Sequence, residues 1–277
     1  MAVIPKDAAT VIILRRTNDA PEGDFEVLMV LRHPKSVFVP NMHVFPGGRL
    51  DEEDYMPEME PFCCGMDRMK AQRLIRNISP PEKALGAWVA AIRETFEEVG
   101  LLLAYERDGS LLSIESETQK DRYGAYRRDL IEGRIGLIDI LEGEGLSLAA
   151  DRLHYFSHWI TPEPSPYRYN VRFFVTEAPQ RQEGTHDGIE LTGHRWIRPQ
   201  EAIAEHEKGA FGMVLPTIIN LAEVSRFRTI DEVFRSTEAK TIPAILTEMK
   251  LIRDEYVEVL PDDEALNGLR LLYPQKD

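Results

Sequence analysis

Cysteine is nearly missing from this chain: Cys63 and Cys64 are the only two in 277 residues. They are adjacent, so a bond between them would be strained and would close no loop. Both are read as free thiols in a reducing compartment. Positive charge is also in short supply, with Lys+Arg 33 against Asp+Glu 47 and a net charge of −14. Broad binding to a nucleic-acid backbone or an anionic membrane needs clustered cations, and this balance argues against both. A small anionic substrate stays open, because a metal or a local cation can reverse the field. No apolar run approaches the ~18 residues of a spanning helix. MAVIPKDAAT lacks the regions of a signal peptide, and the final YPQKD carries no address or prenylation signal. A soluble cytoplasmic protein is expected. Internal repeats and low-complexity tracts are absent, and no composition shift marks a linker, so one domain over 1–277 is expected. No P-loop occurs, and Gly143-x-Gly145 lacks the third glycine of a dinucleotide loop.

What the chain does have is a 43% apolar content, enough for a sizeable core. Ala8 to Arg16 and Phe25 to Arg32 are β-rich runs separated by the turn-like TNDAPEGD, which predicts a hairpin. A short run, His43-Val-Phe45, ends at Pro46-Gly47-Gly48. One helix is expected within MDRMKAQRLIRNI, and Ser79-Pro80-Pro81-Glu82 reads as a capping box opening another that runs to Val99, stopped by Gly100. Residues 106–145 are mostly helical and polar. Strand signals return at Leu153–Ile160, Val171–Thr176 and His194–Ile197. The tail is mainly helical from Pro199 to about Glu248, and LIRDEYVEVL is a last extended piece. The order ββ, helix, ββ, helix suggests an α/β sandwich with a mixed sheet.

RETFEEVG, residues 93–100, puts three carboxylates within five residues of one helix. At ~100° per residue, with Glu94 at zero, Glu98 falls at about 40° and Glu97 at about 300°. Leu85, Trp88, Ile92, Phe96 and Val99 gather on a different side. Arg93 lies four residues before Glu97, where it can orient or neutralise it. Such a face is either a solvated acidic surface or a site for a hard divalent cation, whose preference for oxygen ligands offsets the repulsion. The glycine pair in FPGGRLD, residues 45–51, reads either as a tight turn or as backbone brought close to a ligand.

Taken together, the PGG loop and Arg-Glu-x-x-Glu-Glu-x-Gly resemble the Nudix hydrolase box. Gly48 matches its first glycine, Arg93-Glu94 its Arg-Glu, Glu97-Glu98 its glutamate pair and Gly100-Leu101 its end. The sequence departs in three places: Asp54 stands for the box's first glutamate, 38 residues replace the seven-residue gap, and Thr95 replaces an aliphatic. HVFPGGRLD, the long insertion, AAIRETFEEVGLLL and HWITP…FFV together are similar to the Nudix motif 19 branch, which includes coenzyme A diphosphatases. The resemblance implies an α/β/α sandwich with a mixed β-sheet, a helical insertion inside the box (about 55–79) and a helical C-terminal extension (about 199–277).

It further implies hydrolysis of a diphosphate linkage with Mg²⁺ or Mn²⁺, on CoA or acyl-CoA, or alternatively on ADP-ribose, a dinucleotide or a nucleotide sugar. A ligand sensor on the same fold, without turnover, is the rival of another class. Glu94 and Glu98 are the first choice of metal ligands, with Glu97 and the Gly47 carbonyl next. Arg93 supports them, and one of these acids or the downstream Glu190 takes the proton from water; His186 and Asp187 are nearby alternatives. Arg32, Gly48, Arg49, Arg168, Tyr169 and Arg172 are candidate substrate contacts. The insertion is expected to form a lid or substrate wall. His154 and His158 are read as structural, since four residues along a strand span about 13 Å. The C-terminal helices, with Leu and Ile at core spacing, serve packing or a homodimer face.

Overall fold

The computed structural model describes residues 3–17, 25–184, 190–238, 240–262 and 266. In chain order the elements are β1 (Lys6–Arg16), β2 (Phe25–Arg32), β3 (His43–Val44), β4 (Gly47–Arg49), α1 (Arg68–Leu74) and α2 (Lys83–Val99). Next come β5 (Ala104–Tyr105), α3 (Glu117–Ile131), α4 (Leu137–Glu144), β6 (Ser147–Leu148), β7 (His154–Ile160), β8 (Tyr169–Glu177) and β9 (Leu191–Ile197). The chain continues through α5 (Pro199–Glu207), α6 (Leu215–Val224), α7 (Ile230–Glu238), β10 (Ala244–Leu246), β11 (Glu248–Ile252) and β12 (Glu255–Val259).

β1 is the axis of the mixed sheet. It runs parallel to β8 over its whole inner length and antiparallel to β2 at Leu14–Arg16. On the β2 side its first half pairs instead with β4, Ala8 opposite Arg49 and Thr10 opposite Gly47. Alternation along β1 sends Ala9, Val11 and Ile13 into one core and Ile12 and Leu14 into the other. A strand covered on both faces reads as a continuous apolar run, which is why AATVIIL carries no polar alternation. The first core lies under α2, with Leu85, Trp88, Ile92, Phe96 and Val99; the second lies under α6 and α7. This is the expected α/β/α sandwich.

Several expectations are corrected. α2 begins at Lys83 with Glu82 as cap and without a capping side chain. The chain enters through turn bonds, with the N–H groups of Lys83 and Ala84 donating to the carbonyls of Pro80 and Pro81. Its other end is as expected, with Gly100 left-handed at φ 73°. The tail stops being helical at Glu238: β10 joins the sheet edge beside β7, and β11 and β12 form a separate hairpin. The insertion is not a wall of the large cavity described below. It buries Met59, Cys63, Ala71 and Ile75 in the core beneath α2.

Candidate active site

β4 brings two glycines against the carboxylate face of α2, and the fit leaves no room for side chains. A Cβ on Gly48 would stand 2.4 Å from the Glu94 carboxyl carbon. A Cβ on Gly47, at φ 151°, would meet the Ala9 carbonyl oxygen at 2.3 Å. The Gly47 N–H donates to Glu98 Oε2 at 2.7 Å. The glycine pair is therefore a strand end on which α2 rests its acids, rather than a turn.

Arg93 organises the remaining acids. Its guanidinium forks onto Asp54, with Nε to Oδ1 at 2.8 Å and Nη2 to Oδ2 at 2.9 Å. Nη2 also donates to the Arg49 carbonyl at 2.9 Å, and Nη1 reaches Glu94 at 3.0 Å and Glu97 at 3.2 Å. Asp54 is 1% exposed and Arg93 7%. Sequence reasoning gave Asp54 no role; only its offset from Gly48 pointed to it. The turn of 3-10 helix at Glu52–Tyr55 supplies the missing reach by carrying the shorter acid up to the guanidinium.

The electrostatics are lopsided. Glu98 is 4% exposed. Burial, reinforced by Glu94, pushes its carboxyl well above the usual range against the Gly47 N–H. Burial likewise pushes Glu94 up to about 8, against the opposing pull of Arg93. Glu97 is raised for the same reason. Arg93, for its part, is held charged by Asp54. One guanidinium thus serves Asp54, Glu94 and Glu97, while Arg32 pulls on Glu98 through its charge against the stronger effect of burial.

A divalent cation fits this donor set in chemistry and charge, because the acids are oxygen ligands forced together and desolvated. Among the described residues no three acidic, histidine or cysteine side chains already converge at ligating distance. Glu98 is turned to the Gly47 N–H and Glu94 and Glu97 to Arg93, so ligation requires short side-chain rotations.

Part of this group borders a cavity of about 940 Å³, whose lining does not include the buried Asp54 and Glu98. Glu94, Glu97, Arg93, Gly47, Gly48, Arg49, Arg32, Tyr169 and Glu190 all line it. Its floor is Ala8, Thr10, Val171 and Phe173, on the sheet face shared with Ile12 and Leu14. Arg32 Nε donates to the Phe38 carbonyl at 3.1 Å, and Phe38 packs edge-on to Tyr169 at 4.9 Å. Glu190 and Arg32 both act electrostatically on Glu98, with opposite signs. His186 and Asp187 lie outside the described residues.

Arg168 and Arg172 are not brought to the cavity. Arg168 holds the carbonyls of Thr161 and Val3. Arg172, fully buried, pairs with Asp7 at 2.6 Å and caps the carbonyls of Asn170 and Asn77. His158 sits in β7 against Asn170 at 2.5 Å, and burial holds it neutral, down to about 4. His154 stacks on Phe234 at 4.4 Å. Both cysteines are free, and burial pushes the Cys63 thiol up to about 12. Among the described residues no helix is long and apolar enough to cross a membrane.

A carboxylate helix seated on a diglycine strand at the rim of an α/β/α sandwich is the arrangement of a Nudix pyrophosphohydrolase. Within that class, the chain belongs to the NUDT19 Nudix domain family, which matches residues 5–226. It is similar to acyl-coenzyme A diphosphatase NUDT19 of Xenopus laevis, 25% identical over 98% of this chain and 81% of that protein. The Gallus gallus protein of the same name is 27% identical over 98% and 80%. Among solved structures, a NUDIX hydrolase from Alicyclobacillus acidocaldarius superposes with a TM-score of 0.67 at 24% identity, covering 86% of this chain and 99% of that one. That last likeness establishes the fold.

Proposed function

We propose that this protein hydrolyses the diphosphate of CoA or acyl-CoA with Mg²⁺ or Mn²⁺ held by Glu94 and Glu98, assisted by Glu97 and the Gly47 carbonyl. The observation that carries the reading is the cavity itself. It sets Glu94 and Glu97 beside Gly47 and Gly48, with Glu98 buried behind them on the Gly47 N–H, next to an apolar floor of Ala8, Val171 and Phe173. The names of the relatives supply the substrate.

When bound, a divalent cation neutralises phosphate oxygens and acidifies water. The chain's own residues do the rest. Arg93, locked by Asp54, sets the positions of Glu94 and Glu97, and the Gly47 N–H fixes Glu98. Arg32 and Arg49 offer cations to the diphosphate oxygens. Gly48 allows the close approach of Glu94, and Tyr169 with Phe38 offers an aromatic surface. Glu190, which lines the same cavity, takes the proton as water's oxygen bonds to phosphorus and the P–O–P bridge breaks. Two phosphomonoesters leave. The described residues act as one domain, because Met249, Tyr256 and Glu258, beyond the family match, also line the cavity.

The test is product release from CoA, acyl-CoAs, ADP-ribose, NADH, dinucleoside polyphosphates and nucleotide sugars, with Mg²⁺ or Mn²⁺. Preferred cleavage of CoA species supports the reading; preference for another class overturns the substrate. Binding of a panel member without turnover of any would make the protein a sensor.

A further inference from the structure

The family match ends at residue 226, yet the β11–β12 hairpin sends Met249, Tyr256 and Glu258 into the same cavity as Glu94. The hairpin is not part of the main sheet; it follows β10 through Thr247, whose N–H donates to the Ile160 carbonyl. Glu258 is tied down by the Thr247 hydroxyl at 2.6 Å. The Tyr256 ring is not tied down: it is 74% exposed, and Leu251 beside it is 60% exposed. A large ring such as Tyr256, lining a cavity and away from the protein's own core, wants an apolar partner.

The sheet register measures how far β10, the strand that leads into this wall, stands from the chemistry. One row of paired residues crosses the sheet from Gly48 through Ala9, Arg172 and His158 to Ala244. Four strand spacings of ~4.8 Å make that path about 19 Å. In CoA the arm from the diphosphate phosphorus to the sulfur is about 13 bonds, or roughly 16 Å extended at ~1.2 Å per bond. A diphosphate set at Gly48 and an arm laid over Ala8, Val171 and Trp159 therefore brings the sulfur to within one strand spacing of β10, from which the chain runs directly into the hairpin.

From this we infer that the C-terminal hairpin is the specificity element of the site, with Met249 and Tyr256 packing on the acyl chain of an acyl-CoA. This rests on the proposed function, and it adds that the enzyme reads what is attached to the sulfur. The free thiol ends short of the wall, whereas a thioester's alkyl chain covers it. Each methylene buried there is worth about fourfold in affinity.

The test compares wild type with Tyr256→Ala, Met249→Ala and the double variant. It measures kcat/KM for CoA, acetyl-CoA, octanoyl-CoA and lauroyl-CoA, with thermal melting as a check on folding. Wild type is expected to prefer the longer acyl chains. In the double variant the ratio of lauroyl-CoA to CoA kcat/KM is expected to fall at least tenfold, through KM. An unchanged ratio in folded variants overturns the inference and leaves the proposed function standing. Should the single variants melt early, a wild-type enzyme indifferent to acyl length overturns it equally. Failure of wild type to cleave any CoA species removes the proposed function, and this inference with it.

Discussion

Gly48→Ala separates activity from stability more sharply than any other single change in this site. The backbone at Gly48 does not lie in the left-handed region, so alanine brings no conformational penalty there. The new methyl would stand 2.4 Å from the carboxyl carbon of Glu94 and 2.4 and 2.5 Å from its oxygens. Carbon contacts relax near 3.5 Å, so the carboxylate must withdraw by about 1 Å. The carboxylate is the free end of a flexible side chain, so withdrawal costs roughly 1 kcal/mol of strain. It also loosens the 3.0 Å bond from Arg93. For catalysis, a displacement of that size costs about 100-fold, or ~2.7 kcal/mol of transition-state stabilisation. The assay is kcat on an acyl-CoA at saturating Mn²⁺, beside a melting curve. A kcat within about threefold of wild type, in a folded variant, would refute the argument that Glu94 must sit against Gly48. Gly47→Ala is the contrast: its methyl meets the Ala9 carbonyl oxygen at 2.3 Å and the Thr10 Cα at 2.6 Å, neither of which can rotate away. That variant is expected to lose several degrees of melting temperature.

Asp54→Ala strands a buried guanidinium and is expected to cost about 3 kcal/mol of stability with a large loss of kcat; denaturant unfolding and turnover check both. Asp54→Glu adds a methylene at a site 1% exposed and is expected to cost about 1–3 kcal/mol, although the Nudix box has glutamate there; a neutral result would mean the turn around it is looser than it looks. Glu94 is raised from 4.5 to about 8 without metal, so between those values the folded protein holds more protons than the unfolded chain. Metal-free stability is therefore expected to fall as pH rises through that window. Added Mn²⁺ should raise the melting temperature more at pH 8.5 than at pH 6, and an equal shift at both would contradict the assignment.

The parts of this molecule legible in its sequence are those fixed by local physics. β1 and β2 announce themselves as apolar runs, α2 by its carboxylate arc and Gly100. What the sequence hid depends on chain far away. Asp54 is 39 residues from Arg93, so no helical or strand spacing links them. Arg168 and Arg172 looked like phosphate ligands because arginine suits both roles; only the fold reveals that carbonyls and Asp7 had taken their donors. The hairpin wall could not be foreseen for the same reason, since nothing in LIRDEYVEVL says that it closes a cavity begun at Gly47. The insertion misled in the opposite direction. Its position between PGG and α2 suggested a lid, but Met59, Ala71 and Ile75 carry it into the core.

Hydrolysis of lauroyl-CoA by wild type and by Glu98→Gln, with and without Mn²⁺ and with products identified by mass, tests the central claim most directly. The substitution keeps the side chain's shape and its acceptor for the Gly47 N–H, and removes the charge. Metal-dependent release of acyl-phosphopantetheine by wild type, lowered at least 100-fold in a Glu98→Gln variant of unchanged fold, is the expected result. Turnover that survives the substitution, or that proceeds equally without metal, would contradict a site built to hold a cation between α2 and a substrate diphosphate.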